Sequence, residues 1–158
     1  RCKRLNQFKS YSFQLHTIRR HMIRDYLQDA LKLLKPDTPD WYGWAKTDSD
    51  GNMIPNDQRM QTQYVIVNSS HEGIVTRPTD DAINAKVQEL QNAEPMRLLR
   101  LERNQLLTET DWWCVSDRNP TQAQLDYRTA LRDLPSTASP SLDEDGNLTG
   151  VTWPTKPE

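Results

Sequence analysis

Residues 98–135, LLRLERNQLLTETDWWCVSDRNPTQAQLDYRTALRDLP, constrain the fold more than any other stretch of this chain. They describe a complete unit: a helix, an aromatic hinge, a short polar loop, a second helix and a stop. Met96, Leu99, Leu106 and Leu107 recur at helical spacing and give a helix over about 96–110 one apolar side. Arg103 stands within that side, where a charge either snorkels to water or finds an acid, expected here from the next helix. Asn119 then Pro120 reads as an N-cap and first helical position. Ala123, Tyr127, Ala130, Leu131 and Leu134 form the apolar face that follows, and Leu134-Pro135 stops it. Two such helices, joined by the short segment 112–118, are predicted to lie antiparallel and bury their apolar faces together.

Upstream, apolar residues keep helical spacing from Phe8 through Tyr11, Leu15, Ile18, Met22, Tyr26 and Ala30 to Leu34, and Pro36 ends the run. A heptad-like seam this short packs on another part of its own assembly or on copies of itself in a homo-oligomer. Residues 41–77 read as strands. Trp41, Tyr42 and Trp44 precede a turn at Asp48-Ser49-Asp50-Gly51-Asn52, QYVIV at 63–67 is β-rich, and Ile74-Val75-Thr76 returns after a polar turn. One or two hairpins are expected, lying against a helix because isolated hairpins are marginal in water. Thr79 can cap a helix from Asp80 with the stripe Ile83, Val87 and Leu90, and Pro95 breaks or kinks it. After Pro135 the composition turns to Ser, Pro, Asp and Gly, an extended or mobile tail unless something ties it down.

The fold class is therefore α+β, mostly helical. It divides into a basic amphipathic helical arm (1–36), a small β-hairpin region (37–77), a helical module ending in a helical hairpin (78–135) and an extended tail (136–158). Hydrophobic residues make up 35% of the 158 and charged residues 27%, so the core is thin and burial is expected to be completed on a partner. The net charge of -2 conceals a division: residues 1–35 hold nine Lys/Arg against two acids, +7, leaving −9 elsewhere. A basic arm on an acidic body points to an electrostatic contact, with its own body or with an acidic partner.

Arg100, Arg103, Asn104, Leu106, Leu107, Thr110, Asp111 and Trp112, followed after a loop by Tyr127, Arg128, Ala130, Leu131, Arg132, Asp133, Leu134 and Pro135, resemble the C-terminal module of phage tail assembly chaperone proteins. The resemblance extends back to Pro78 and forward to Val-Thr-Trp-Pro at 151–154, about half the chain. It implies a non-enzymatic protein that binds a phage tail or tail-fibre protein during assembly in the host cytoplasm, or a module kept in the virion tail. No catalytic residue belongs to the signature. The residues implied in partner binding are Trp112, Trp113, Arg128, Arg132 and Trp153.

Other chemistry is weakly represented. Adjacent tryptophans point different ways, so Trp112 and Trp113 are either both core at a helix–loop corner or divided, one inside and one outside as a partner anchor. Arg128 and Arg132 are four apart and can reach Glu102, Glu109 or Asp111 across the hairpin. The two Asp-x-Asp-Gly-Asn loops, at 48–52 and 143–147, lack the ligand set of a calcium loop and read as turns. His16 and His21 are five apart on a helix and do not share a face for a metal. Cys2 and Cys114 are distant and make no disulfide framework. No cofactor, metal or membrane span is read, and no secretory leader. Arg1 in place of Met suggests a fragment or processed product. Arg19, Arg20 and Arg24 form a basic patch suited to phosphates, but the acidic body argues against nucleic acid and for a solvated or protein-facing side.

Overall fold

The computed structural model describes residues 24–157. Helix α1, Tyr26–Leu34, starts at Asp25, whose carboxylate accepts the Gln28 N–H at 3.0 Å. It stops one residue short of the position before Pro36, where proline disfavours helical geometry. Carbonyls of a last helical turn lack intrahelical partners. One of them, Leu31, is met by the buried Trp41 indole N–H at 2.9 Å. The earlier part of the expected N-terminal helix lies outside the described residues.

Strands β1, Tyr42–Trp44, and β2, Val65–Val67, pair antiparallel with Gly43 opposite Ile66. The long connection between them carries a bridge, Thr47 to Met53, around the expected turn. There Asp48 Oδ1 accepts the N–H groups of Asp50 and Asn52 at 3.0 and 2.8 Å, and Gly51 supplies a φ of 85°. The expected third strand at 74–76 does not form. Ile74 and Val75 both donate to the His71 carbonyl in a turn, leaving Ile74 77% exposed while Val75 packs on the core.

Helix α2, Asp80–Glu109, is capped by Thr79 as expected, with its hydroxyl accepting the Ala82 N–H. It runs through Pro95 without a break in its assigned helical span. The proline withholds one N–H, but burial on both sides of it holds the helix continuous. Ahead of Pro95, Ile83 packs with Leu31, Trp41 and Val65 in a first core, flanked by Leu27, Leu34, Tyr42, Trp44, Val67 and Val75. Beyond it, Leu106 and Leu107 pack on a second core of Trp113, Tyr127 and Leu131. Leu98 and Leu99 are also buried.

Helix α3, Gln122–Thr137, begins two residues later than the Asn119-Pro120 signal. Thr121 is the cap because Gln124 sits three residues on. The Thr121 hydroxyl accepts the Gln124 N–H at 3.3 Å, and the Gln124 side chain accepts the Thr121 N–H at 3.0 Å. Its far end passes Pro135 by two residues: Ala138 N–H still reaches the Leu134 carbonyl at 2.9 Å, and Thr137 Oγ1 donates there too. Tyr127, Leu131 and Leu134 are buried as expected; Ala123 and Ala130 are exposed. The tail forms a small hairpin, β3 (Ser141–Leu142) with β4 (Leu148–Thr149), closed by an Asp143 turn of the same kind as that at Asp48. The architecture is α+β and mostly helical, with α2 common to both cores.

Candidate partner-binding corner

The corner forms where α2 stops. Thr110 is fully buried, and its hydroxyl lies 3.0 Å from the Leu106 and Leu107 carbonyls. Arg128, 7% exposed on α3, closes this end of the helix: Nη1 donates to the Leu107 carbonyl at 2.9 Å and to Thr110 Oγ1 at 2.8 Å. Its Nη2 donates to Asp111 Oδ1 at 2.8 Å. A cation against the carbonyls at a helix C-terminus is favourable for both hydrogen bonding and the helix dipole.

With the helix end fixed, the 3-10 turn Asp111–Cys114 sends its two indoles apart. Trp113 is 5% exposed and lies 6.0 Å, centroid to centroid, from Tyr127. Trp112 is 51% exposed, with the Arg118 guanidinium stacked over it at 4.4 Å. The pair is therefore divided, one indole in the core and one at the surface. Val115, beside them, is also exposed. Together with Asn119 and the start of α3, Trp112 and Arg118 line an open cleft of about 540 Å³.

The tail reaches the other side of the same unit. Trp153 is half-buried against the second core, and Lys156 lies 5.9 Å over the Trp113 ring and 3.8 Å from Glu109. Trp153, Leu106 and Tyr127 line a second, largely apolar groove. Burial raises the Tyr127 phenol above its ordinary pKa.

The candidate residues thus occupy different environments. Trp112 is at the surface, Trp113 and Arg128 are inside, and Trp153 packs from the tail. Arg132 is exposed and makes no ion pair among the described residues, while Glu109 is taken by Lys156 rather than by an arginine of α3. Arg103 finds no acid on α3: Nε and Nη2 both donate to Asn104 Oδ1, at 3.1 and 2.8 Å.

Of the basic patch, Arg19 and Arg20 lie outside the described residues. Arg24 is committed to its own body, 2.7 Å from both Asp29 and the buried Glu94. Arg97 joins Glu94 from the next turn of α2 at 2.5 Å. Hydrogen bonds from Arg97 and then Arg24 outweigh burial and hold the Glu94 carboxyl below its ordinary pKa. The spacing rules gave no sign of this triad, because Glu94 reads as a solvated residue ahead of a proline. Arg77 was likewise unforeseen: it donates to the Val65, Thr62 and Pro78 carbonyls and pairs with Asp80, pinning the start of α2 to β2.

His16, His21 and Cys2 lie outside the described residues, and Cys114 is exposed as a free thiol. Among the described residues no group of three His, Cys, Asp or Glu side chains is placed to hold a metal ion, and no helix is long and apolar enough to cross a membrane. No curated protein and no solved structure matches the chain. Residues 96–158, from just after Pro95 through the corner and the tail, match the model of the phage tail assembly chaperone protein family, the family that the two runs of the hairpin resemble.

Proposed function

We propose that this chain is a non-enzymatic phage assembly protein whose C-terminal module binds a tail or tail-fibre protein in the host cytoplasm. The observation that carries this reading is the family match over 96–158, which coincides with the second core and its aromatic corner. Trp112 is the anchor: a large indole half out of the surface, on a corner made rigid by Arg128 and Thr110. Aromatic side chains of this kind dominate binding energy at protein interfaces. Trp113 and Arg128 act from inside by holding the corner in shape, and Trp153 braces it from the tail.

The test is co-expression with each tail and fibre protein of the same phage, scoring soluble partner and the purified complex. The chain is expected to raise the soluble yield of one of them. Trp112→Ala should weaken that complex about thirtyfold, the loss of one interfacial hot spot, with the fold unchanged by circular dichroism. Equal yields with and without the chain, for every tail and fibre protein, sink the proposal. Mass spectrometry of purified virions then tells a transient chaperone from a retained tail component.

A further inference from the structure

We propose that the cleft beside Trp112 recognises an acidic side chain of the partner, with Arg118 as the residue that reads it. This deepens the function proposed above and rests on it. Arg118 is held with its guanidinium over the Trp112 ring at 4.4 Å, yet its side chain has no ion pair or hydrogen bond among the described residues. Arg24, Arg77, Arg97 and Arg128 each spend their charge on a carboxylate of this chain. A guanidinium held over an indole and without a carboxylate of its own keeps donors for an incoming carboxylate, which an arginine fork can hold bidentately.

The surroundings favour the same ligand. The lining also takes in Thr121 and Gln124 at the start of α3, whose positive dipole end favours an anion. Exposed Trp112 and Val115 offer apolar contact next to the charge. Asp117, also lining the cleft, puts one negative charge beside one positive. Asp117 weakens the attraction for any anion, so the cleft has charge for one carboxylate at most, met by Arg118, and disfavours a polyanion such as a nucleic-acid backbone. The occupant is therefore a partner-protein segment carrying Asp or Glu next to an apolar residue.

The test uses the full chain on an array of overlapping peptides covering the tail and tail-fibre proteins of its phage, with Asp/Glu-to-Asn/Gln and Asp/Glu-to-Lys copies of every peptide retained. Retained peptides should contain an acid flanked by apolar residues. The neutral copies should bind at least tenfold more weakly, and Arg118→Gln should bind the acidic and neutral forms alike. Arg118→Glu should reverse the preference, retaining copies in which the acid is replaced by Lys; this gain of binding also guards against a variant that simply fails to fold. Peptides that depend on Trp112 but bind neutral copies equally well overturn the acidic recognition while leaving the proposed function standing. Retention of no peptide, with no tail or fibre protein made soluble by co-expression, removes both.

Discussion

One guanidinium ties three groups together at the corner. Arg128 satisfies the Leu107 carbonyl, meets the buried Thr110 hydroxyl and pairs with Asp111 from one rigid fork. Arg128→Met keeps the bulk but removes the charged donor shared by the Leu107 carbonyl, the Thr110 hydroxyl and Asp111, and is expected to cost about 2–3 kcal/mol in urea unfolding, mostly from the lost hydrogen bonds to a charged group. Arg128→Lys should recover less than half of that, because an ammonium cannot serve three acceptors in a plane. A loss under 0.5 kcal/mol for Arg128→Met would show that the corner is held by its apolar contacts instead. At this scale the sequence left undecided whether both or only one of Trp112 and Trp113 would be core, but their divergence was open to reading, since consecutive side chains on a helical turn point different ways. The burial of Arg128 was not, because its need arises only when the end of α2 and the flank of α3 meet in space. Arg132, one turn along, looks the same in sequence and stays in water.

At the scale of elements, α2 and α3 each contain a proline that the sequence read as a boundary. The penalty for an interior proline is local, one missing hydrogen bond and a clash of the ring with the preceding turn. The burial that opposes it comes from distant parts of the chain, such as Trp41 on one side of Pro95 and Tyr127 on the other. Local rules therefore placed Thr79 correctly and missed the continuity of α2. They also set the start of α3 at Asn119, although the Thr121–Gln124 box satisfies two backbone donors and takes precedence. Restoring an N–H at Pro95 should be stabilising. Pro95→Ala is expected to raise the stability by about 1–2 kcal/mol, the gain of a helix-interior bond less the added freedom of the unfolded chain. Equilibrium denaturation checks this, and an unchanged or lower midpoint would mean that the structure depends on the bend or ring at that position. Thr121→Ala should cost about 1 kcal/mol through loss of the cap.

Across the whole molecule, two cores share one helix, and the Arg24–Glu94–Arg97 triad stands at the point where they meet. Arg24 leads into α1, Glu94 and Arg97 lie on α2, and the family match begins two residues after Glu94. The triad therefore fastens the N-terminal core to the helix that leads into the family-matched module. Its strength depends on the carboxylate being ionised, and the folded Glu94 pKa lies below the ordinary glutamate value. Its contribution is then fully present above the unfolded pKa of about 4.3 and is lost as pH falls through the lower, folded value. Acidification should release α1 before α3, because α3 is tied by Arg128 to two neutral acceptors as well as to Asp111. Hydrogen exchange read by mass spectrometry would follow this directly: amides of 26–34 should lose protection at a higher pH than those of 122–137. In Glu94→Gln the 26–34 segment should already be less protected at neutral pH, and its acid dependence should flatten, converging with the parent chain once both side chains are uncharged. Simultaneous release of both segments, with an acid profile that Glu94→Gln leaves unaltered, would mean that the two cores are joined by α2 alone.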